Sequence, residues 1–226
     1  MEKEVFKVLY EDNHLLIVNK GSGVLVQKDK NGDEALEEIL KEYLKIKYAK
    51  PGEVFLGVVH RLDRPVSGIV VFAKTSKALI RMNEMFRSRD IEKTYWAVVA
   101  NKPAQKKAIL SNWLTRSETK NFSKIYDREV KNSLKAELQY EVIAESEKYN
   151  LLEVNLMTGR HHQIRAQLSY IKCPIVGDLK YGYARSSPEG TIFLHARKIK
   201  FIHPVKKEVI EIEAEMPIYW KKYGFN

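Results

Sequence analysis

The sequence predicts an α+β fold built on a large, mostly antiparallel mixed sheet flanked by helices and loops. Three observations predict it. Segments that read as strands outnumber those that read as helices, and they follow one another in succession. Alternation of period two is plain at Ala136, Leu138, Tyr140 and Val142, and again at Leu152, Val154 and Leu156. Helical spacing is confined to short stretches, and no internal repeat or low-complexity segment interrupts the pattern.

Taken in order, Val5 to Tyr10 and Leu15 to Val18 read as strands joined by the turn Glu11-Asp12-Asn13. Gly21-Ser22-Gly23 breaks the chain. Asp33 is the expected cap of a first helix, whose Leu36, Ile39, Leu40, Tyr43 and Leu44 form one apolar stripe. Val58-Val59 and Ile69 to Ala73 read as strands on either side of a charged loop. Thr75 or Ser76 caps a second helix with Leu79, Met82 and Phe86 inward. Tyr95 to Ala100 is a strand. The polar stretch from Asn101 to Ser133 is expected to hold an insertion or mobile loops. Beyond the two alternating strands, Ile164, Leu168 and Ile171 mark a short helix. Strands return at Ile192 to Leu194, Ile199 to Ile202 and Val209 to Ile212.

Bulk properties narrow the function classes. Across 226 residues, 39 Lys and Arg stand against 29 Asp and Glu, a net charge of +10 that suits a polyanionic partner such as nucleic acid. A lone cysteine, Cys173, excludes a disulfide framework and a cysteine-rich zinc site. The six histidines show no metal-ligand spacing, so no metal and no cofactor are expected. No apolar run approaches the roughly 20 residues of a membrane span, and the N-terminus shows no secretory pattern. A cytoplasmic location is the expectation.

The most informative stretch is His60-Arg61-Leu62-Asp63-Arg64-Pro65-Val66-Ser67-Gly68. It sets one carboxylate, Asp63, between two guanidinium groups at the mouth of an apolar strand. An acid so flanked is expected to stay ionised, because nearby opposite charge favours the charged form. The second informative stretch is Met157-Thr158-Gly159-Arg160-His161-His162-Gln163-Ile164-Arg165. Gly159 permits a tight turn, and a helix beginning just after it would aim backbone N–H groups at an anion. Arg165 follows the inward Ile164 and suits a partly buried carboxylate, with Asp63 the expected partner. The kinase H-R-D loop is excluded, since Leu62 intervenes and neither D-F-G nor a glycine-rich phosphate loop is present.

These words resemble the signatures of the RluA-type pseudouridine synthases, H-R-L-D-x-x-T-S-G and T-G-R-x-H-Q-I-R. Val66 stands where the family usually has Thr, and His161 falls in its variable position. Further matches follow in the family's order. Asn19-Lys20 before Gly23 is similar to N-K-P-x-G, with Gly21 in place of Pro, and Lys93-Thr94-Tyr95 to K-x-Y. Gly177-Asp178 with Tyr181-Gly182 matches G-D-x-x-Y-G, and Leu194-His195-Ala196 before His203-Pro204 matches L-H-A…H-P. The set runs from about residue 8 to residue 217.

The resemblance implies a pseudouridine synthase fold and an RNA uridine isomerase whose catalytic residues are Asp63, Tyr95 and Arg165. RNA contacts are expected at Arg61, Arg64, Arg160 and His162, with ribosomal or transfer RNA as the partner. Because the family words begin within the first twenty residues, the expectation is a single catalytic domain over residues 1–226, without the separate N-terminal RNA-binding domain of many relatives, and acting as a monomer. Two other classes stand against this reading. A non-catalytic RNA-binding protein would keep the fold, and a base-excising glycosylase would release free uracil. A glycoside hydrolase would ordinarily need a second facing carboxylate, and neither word supplies one.

Overall fold

A computed structural model of the chain describes residues 5–28, 32–117, 119–187 and 190–225. In chain order its elements are β1 (Phe6–Glu11), β2 (Leu15–Lys20), α1 (Leu36–Lys47), β3 (Gly57–Val58), β4 (Ser67–Ala73), α2 (Ser76–Ser88) and β5 (Glu92–Val99). There follow β6 (Lys107–Ser117), β7 (Phe122–Tyr126), β8 (Leu134–Glu145), β9 (Asn150–Leu156), α3 (Gln163–Tyr170), β10 (Leu194–Ile202) and β11 (Val209–Glu213). Two short 3-10 turns, Leu179–Tyr181 and Ile218–Tyr223, were not anticipated from sequence. The expected α+β class and its antiparallel, strand-rich character hold.

The chain packs as two compact units. The first comprises the residues up to Ile91 together with Arg197–Glu215. In it β2 pairs antiparallel with β1 and with β4, β3 pairs with β4, and β11 pairs with β10. Asp12 closes the β1–β2 turn by accepting the N–H groups of His14 and Leu15 at 2.8 Å. Every residue of β4 is buried, as its unbroken apolar run requires. On α1, Leu36, Leu40 and Leu44 are fully buried, each worth about 1.5–3 kcal/mol.

Asp33 does not cap α1. The cap position is Ala35, and Glu38 reaches back to the Ala35 N–H at 3.5 Å. The Asp33 carboxylate is taken instead by Arg64, 2.7 Å away. On α2, Thr75 is the cap, its hydroxyl accepting from Ala78 at 3.2 Å.

The second unit comprises Glu92–Ala196 and the segment from Met216 onward. Its strands run β5, β9, β8, β6, β7, each antiparallel to the next. The stretch from Asn101 to Ser133, expected as an insertion or mobile loops, holds β6 and β7. Its period was masked because Ile109 points outward, 61% exposed, while Asn112 occupies an inward position. That polar intrusion is satisfied by the Gln167 amide of α3, which donates to Asn112 Oδ1 at 2.9 Å. Residues 199–202 belong to the same strand as Leu194, whereas Ile192 precedes it.

One acid of the first unit, its side chain nearly enclosed, couples stability to pH. Glu11 ends β1 and accepts from Lys47 (2.7 Å), Lys74 (2.8 Å), Tyr48 (2.6 Å) and Tyr43 (3.1 Å). Burial alone pushes its carboxyl up, but the hydrogen bonds from Lys47, Lys74 and Tyr48 outweigh that and hold it at about 2. A carboxyl lowered on folding stabilises the fold above its unfolded value of 4.5, and this stabilisation fades as pH falls toward 2. The expected size is roughly 3 kcal/mol at neutral pH. Glu11→Gln should therefore unfold more readily in urea at pH 7, with the gap to the parent narrowing steadily below pH 4.5. A gap independent of pH would contradict the assignment.

Candidate active site

In the first unit the His60–Gly68 word forms a braced loop between β3 and β4. Leu62 and Val66 are buried, and the Val66 N–H donates to the Asp63 carbonyl at 3.0 Å. This turn leaves Asp63 half-buried and Arg61 exposed. Val66 is sealed in apolar packing at the place where the family's Thr carries a hydroxyl.

The brace comes from the Asn19-Lys20-Gly21-Ser22-Gly23 segment. Lys20 is fully buried, and its ammonium donates to the carbonyls of Gly21 (2.9 Å), Val24 (2.9 Å) and Arg64 (3.4 Å). A buried ammonium is tolerated because these carbonyls replace its hydration. The Gly23 N–H adds a bond to the Arg64 carbonyl at 2.7 Å. Gly21 in place of the family's Pro has a local reason, since its N–H donates to Val5 at 2.9 Å and a proline has no such donor.

Two side chains of the word take roles the sequence did not suggest. His60 accepts from the Val71 N–H through Nε2 at 3.1 Å, and its ring stacks on Phe86 at 4.8 Å. It is thus a brace between loop, β4 and α2. Arg64 is turned toward Asp33 and the Gly23 carbonyl (3.0 Å). The guanidinium expected beside Asp63 therefore has a different carboxylate in hand.

In the second unit Tyr95 lies half-buried on β5, opposite Val154. The Thr158–Arg165 word does not start a helix directly after Gly159. It first makes a turn pinned by Gln163, whose side chain accepts from Thr158 Oγ1 (2.7 Å) and the Arg160 N–H (3.0 Å) and donates to the Glu137 carbonyl (3.0 Å). His162 takes a left-handed conformation, φ 51°, and α3 begins after it. Arg160 is half-exposed with its Nε on the Lys135 carbonyl at 2.9 Å.

Arg165 is buried, and in its own unit Asp178 grips it. Nε donates to Oδ2 at 2.7 Å and Nη2 to Oδ1 at 2.8 Å, a two-pronged pair in which both side chains are almost wholly enclosed. The guanidinium carbon also lies 5.1 Å above the Tyr181 ring. The Tyr181 hydroxyl accepts from the Ser123 N–H (2.8 Å) and is left to donate to His162 Nδ1 (3.0 Å). Burial raises that phenol, which keeps it protonated for the task. His162, expected as an RNA contact, is therefore a buried ring held on Tyr181 and stacked on His161 at 3.8 Å.

The Gly177–Gly182 word carries the support that sequence reasoning left without a role. Gly177 has φ +83°, and a Cβ there would stand 2.4 Å from the Thr191 carbonyl oxygen. Only glycine fits, and it delivers Asp178 to Arg165. Asp63, Arg61 and Arg64 thus lie in the first unit, and Tyr95, Arg160, His162 and Arg165 in the second. Among the described residues no group of three or more His, Cys, Asp or Glu is placed to hold a metal ion. No described helix is long and apolar enough to cross a membrane.

Asp178→Asn leaves the Arg165 charge enclosed with a neutral partner. Breaking a buried pair from one side costs about 3–5 kcal/mol. Urea unfolding should show a loss of that size, and a change under about 1 kcal/mol, the scale of a surface pair, would refute the enclosure.

Residues 14–170 match the family model described as RNA pseudouridylate synthase. A ribosomal large subunit pseudouridine synthase C from Vibrio parahaemolyticus is 33% identical over 92% of this chain. The chain spans 65% of that relative's length, a little under two thirds. A tRNA pseudouridine synthase C from Vibrio cholerae is 28% identical, covering 96% of this chain and 93% of the relative. Among solved structures, human RNA pseudouridylate synthase domain containing 4 superposes with a TM-score of 0.78 at 24% identity, over 95% of this chain and 90% of the other. The chain belongs to the RNA pseudouridylate synthase family, in its RluA-type branch.

Proposed function

We propose that this chain is an RNA pseudouridine synthase that isomerises specific uridines in ribosomal or transfer RNA, with Asp63 as the catalytic carboxylate. The observation that carries the reading is the complete, ordered set of family words, two of which converge on bracing the loop that bears Asp63. The reaction cuts the bond between ribose and uracil N1, turns the base, and rejoins it through C5. The C5 proton leaves and N1 gains one, so there is no net redox change and no hydrolysis. One ionised carboxylate can serve the central step by adding to the sugar or the base, or by removing a sugar proton.

The other residues take supporting roles in this reading. Arg165, oriented by Asp178, is the partner of the Asp63 carboxylate in this reading. Tyr95 offers a platform for the extruded base, where stacking worth roughly 1–3 kcal/mol offsets a similar extrusion cost. Its hydroxyl can exchange a proton as the product forms. Arg61, Arg64 and Arg160 are the contacts to the phosphates and riboses of the RNA in this reading, while the buried His162 supports the turn that carries Arg160. The surplus of basic charge supports an RNA partner and steeply salt-dependent binding. A uridine in a hairpin loop is the favoured target, since its base is already partly unstacked. One catalytic domain working as a cytoplasmic monomer completes the reading.

Asp63→Asn should fold normally, bind RNA and release no tritium from RNA labelled at uracil C5. Turnover above about 1% of the parent would sink the assignment, because loss of an acid or base group ordinarily costs 10²–10⁴-fold. A parent protein that binds RNA and never turns it over would instead support the non-catalytic alternative, and release of free uracil would identify a glycosylase.

A further inference from the structure

The β6–β7 hairpin, which belongs to none of the family words, carries a groove of about 550 Å³. It is lined by Thr115, Arg116, Ser117, Lys120, Phe122 and Lys124. Three cations and two hydroxyls thus converge on one concave surface, and none of the described lining residues is acidic. Arg116, Lys120 and Lys124 are exposed. Lys124 and Thr115 stand opposite each other in the strand register, so their side chains share a face. The Lys124 ammonium also lies 5.1 Å above the Tyr126 ring, which extends the basic surface with an aromatic one.

The groove is fixed to the Arg160–Arg165 segment rather than hanging from it. His161 Nδ1 meets Ser123 Oγ at 2.9 Å, and its Nε2 meets Asn121 Oδ1 at 2.9 Å. The Ser123 hydroxyl returns a bond to the His161 carbonyl at 2.6 Å. Phe122, one wall of the groove, stacks on Tyr181 at 4.7 Å, and Tyr181 in turn lies under Arg165. Any strand held in the groove is therefore held at a set distance from that arginine.

We propose that this groove binds backbone phosphates of the substrate RNA at nucleotides flanking the reacting uridine. The proposal rests on the RNA reading above and adds a contact surface to it. Cations with hydroxyl donors match phosphate oxygens, and the aromatic rim suits an unpaired base. A strand gripped here supplies affinity and register while taking no part in the chemistry.

The test compares Arg116→Ala/Lys120→Ala/Lys124→Ala with a control of equal charge change, Lys45→Ala/Lys77→Ala/Lys221→Ala, all at exposed positions. The probe is a stem-loop transcript of large-subunit ribosomal RNA with long flanking strands, set against the same stem-loop trimmed to its loop and closing pairs. Fluorescence anisotropy against potassium chloride gives Kd and its salt slope. Losing three phosphate contacts should weaken binding of the long RNA at least about tenfold and make the salt slope shallower by roughly 2. The control should keep the slope, and the trimmed RNA should bind both variants as it binds the parent. Equal losses in both variants, or unchanged binding of the long RNA, would overturn the proposal, the latter also if an acidic protein proved to bind the groove. Groove-dependent RNA binding by a parent that makes no pseudouridine would uphold the groove and overturn the isomerase reading.

Discussion

The two-pronged pair between Arg165 and Asp178 is the constraint on which the second unit depends. An enclosed guanidinium is costly without a partner of matching geometry, and Asp178 meets it with two bonds under 3 Å. Much of the neighbourhood can be understood as the means of delivering that partner. Gly177 turns the backbone where no side chain fits, the 3-10 turn carries Tyr181 beneath the arginine, and the Tyr181 hydroxyl fixes His162. Gln163 and Gln167 then tie α3 to β8 and β6 through backbone carbonyls. The guanidinium that results is held in one orientation.

The first unit reaches a comparable end by another route. There the anchor is a buried ammonium, Lys20, that gathers three carbonyls and holds the turn following Asp63. His60 holds the preceding turn through one ring nitrogen and one stacked face. The carboxylate thus sits on a loop with little freedom, although it lies outside regular secondary structure. Such rigidity is what the catalytic role proposed for Asp63 would call for, since small misplacements are costly in rate.

Much of the fold was legible because its strands are apolar on the expected period, as at β8 and β9, or apolar throughout, as at β4. The β6–β7 hairpin was not, because Asn112 points inward and Ile109 outward, and the amide of Gln167 that reconciles this lies 55 residues away. Local patterning cannot carry such a pairing. The start of α1 was misplaced for a related reason, since Asp33 is claimed by Arg64 from a distant loop. At the site, the words for Asp63 and Arg165 stood out through their charge. Their supports did not, because Lys20, Gln163 and Asp178 act through buried partners that only the folded chain brings near. The Gly177-Asp178 word was visible as a resemblance, yet its physical meaning lay in a positive φ and a 2.4 Å approach.

The central claim is that a single carboxylate on a braced loop turns a specific uridine into pseudouridine. Mapping pseudouridines at nucleotide resolution in total RNA tests it most directly, using cells without the gene, cells with it restored, and cells carrying Asp63→Asn. The account predicts that one or a few sites in ribosomal or transfer RNA lose the modification, regain it with the parent protein, and stay bare with the variant. An unchanged map in cells without the protein, or full restoration by Asp63→Asn, would contradict it.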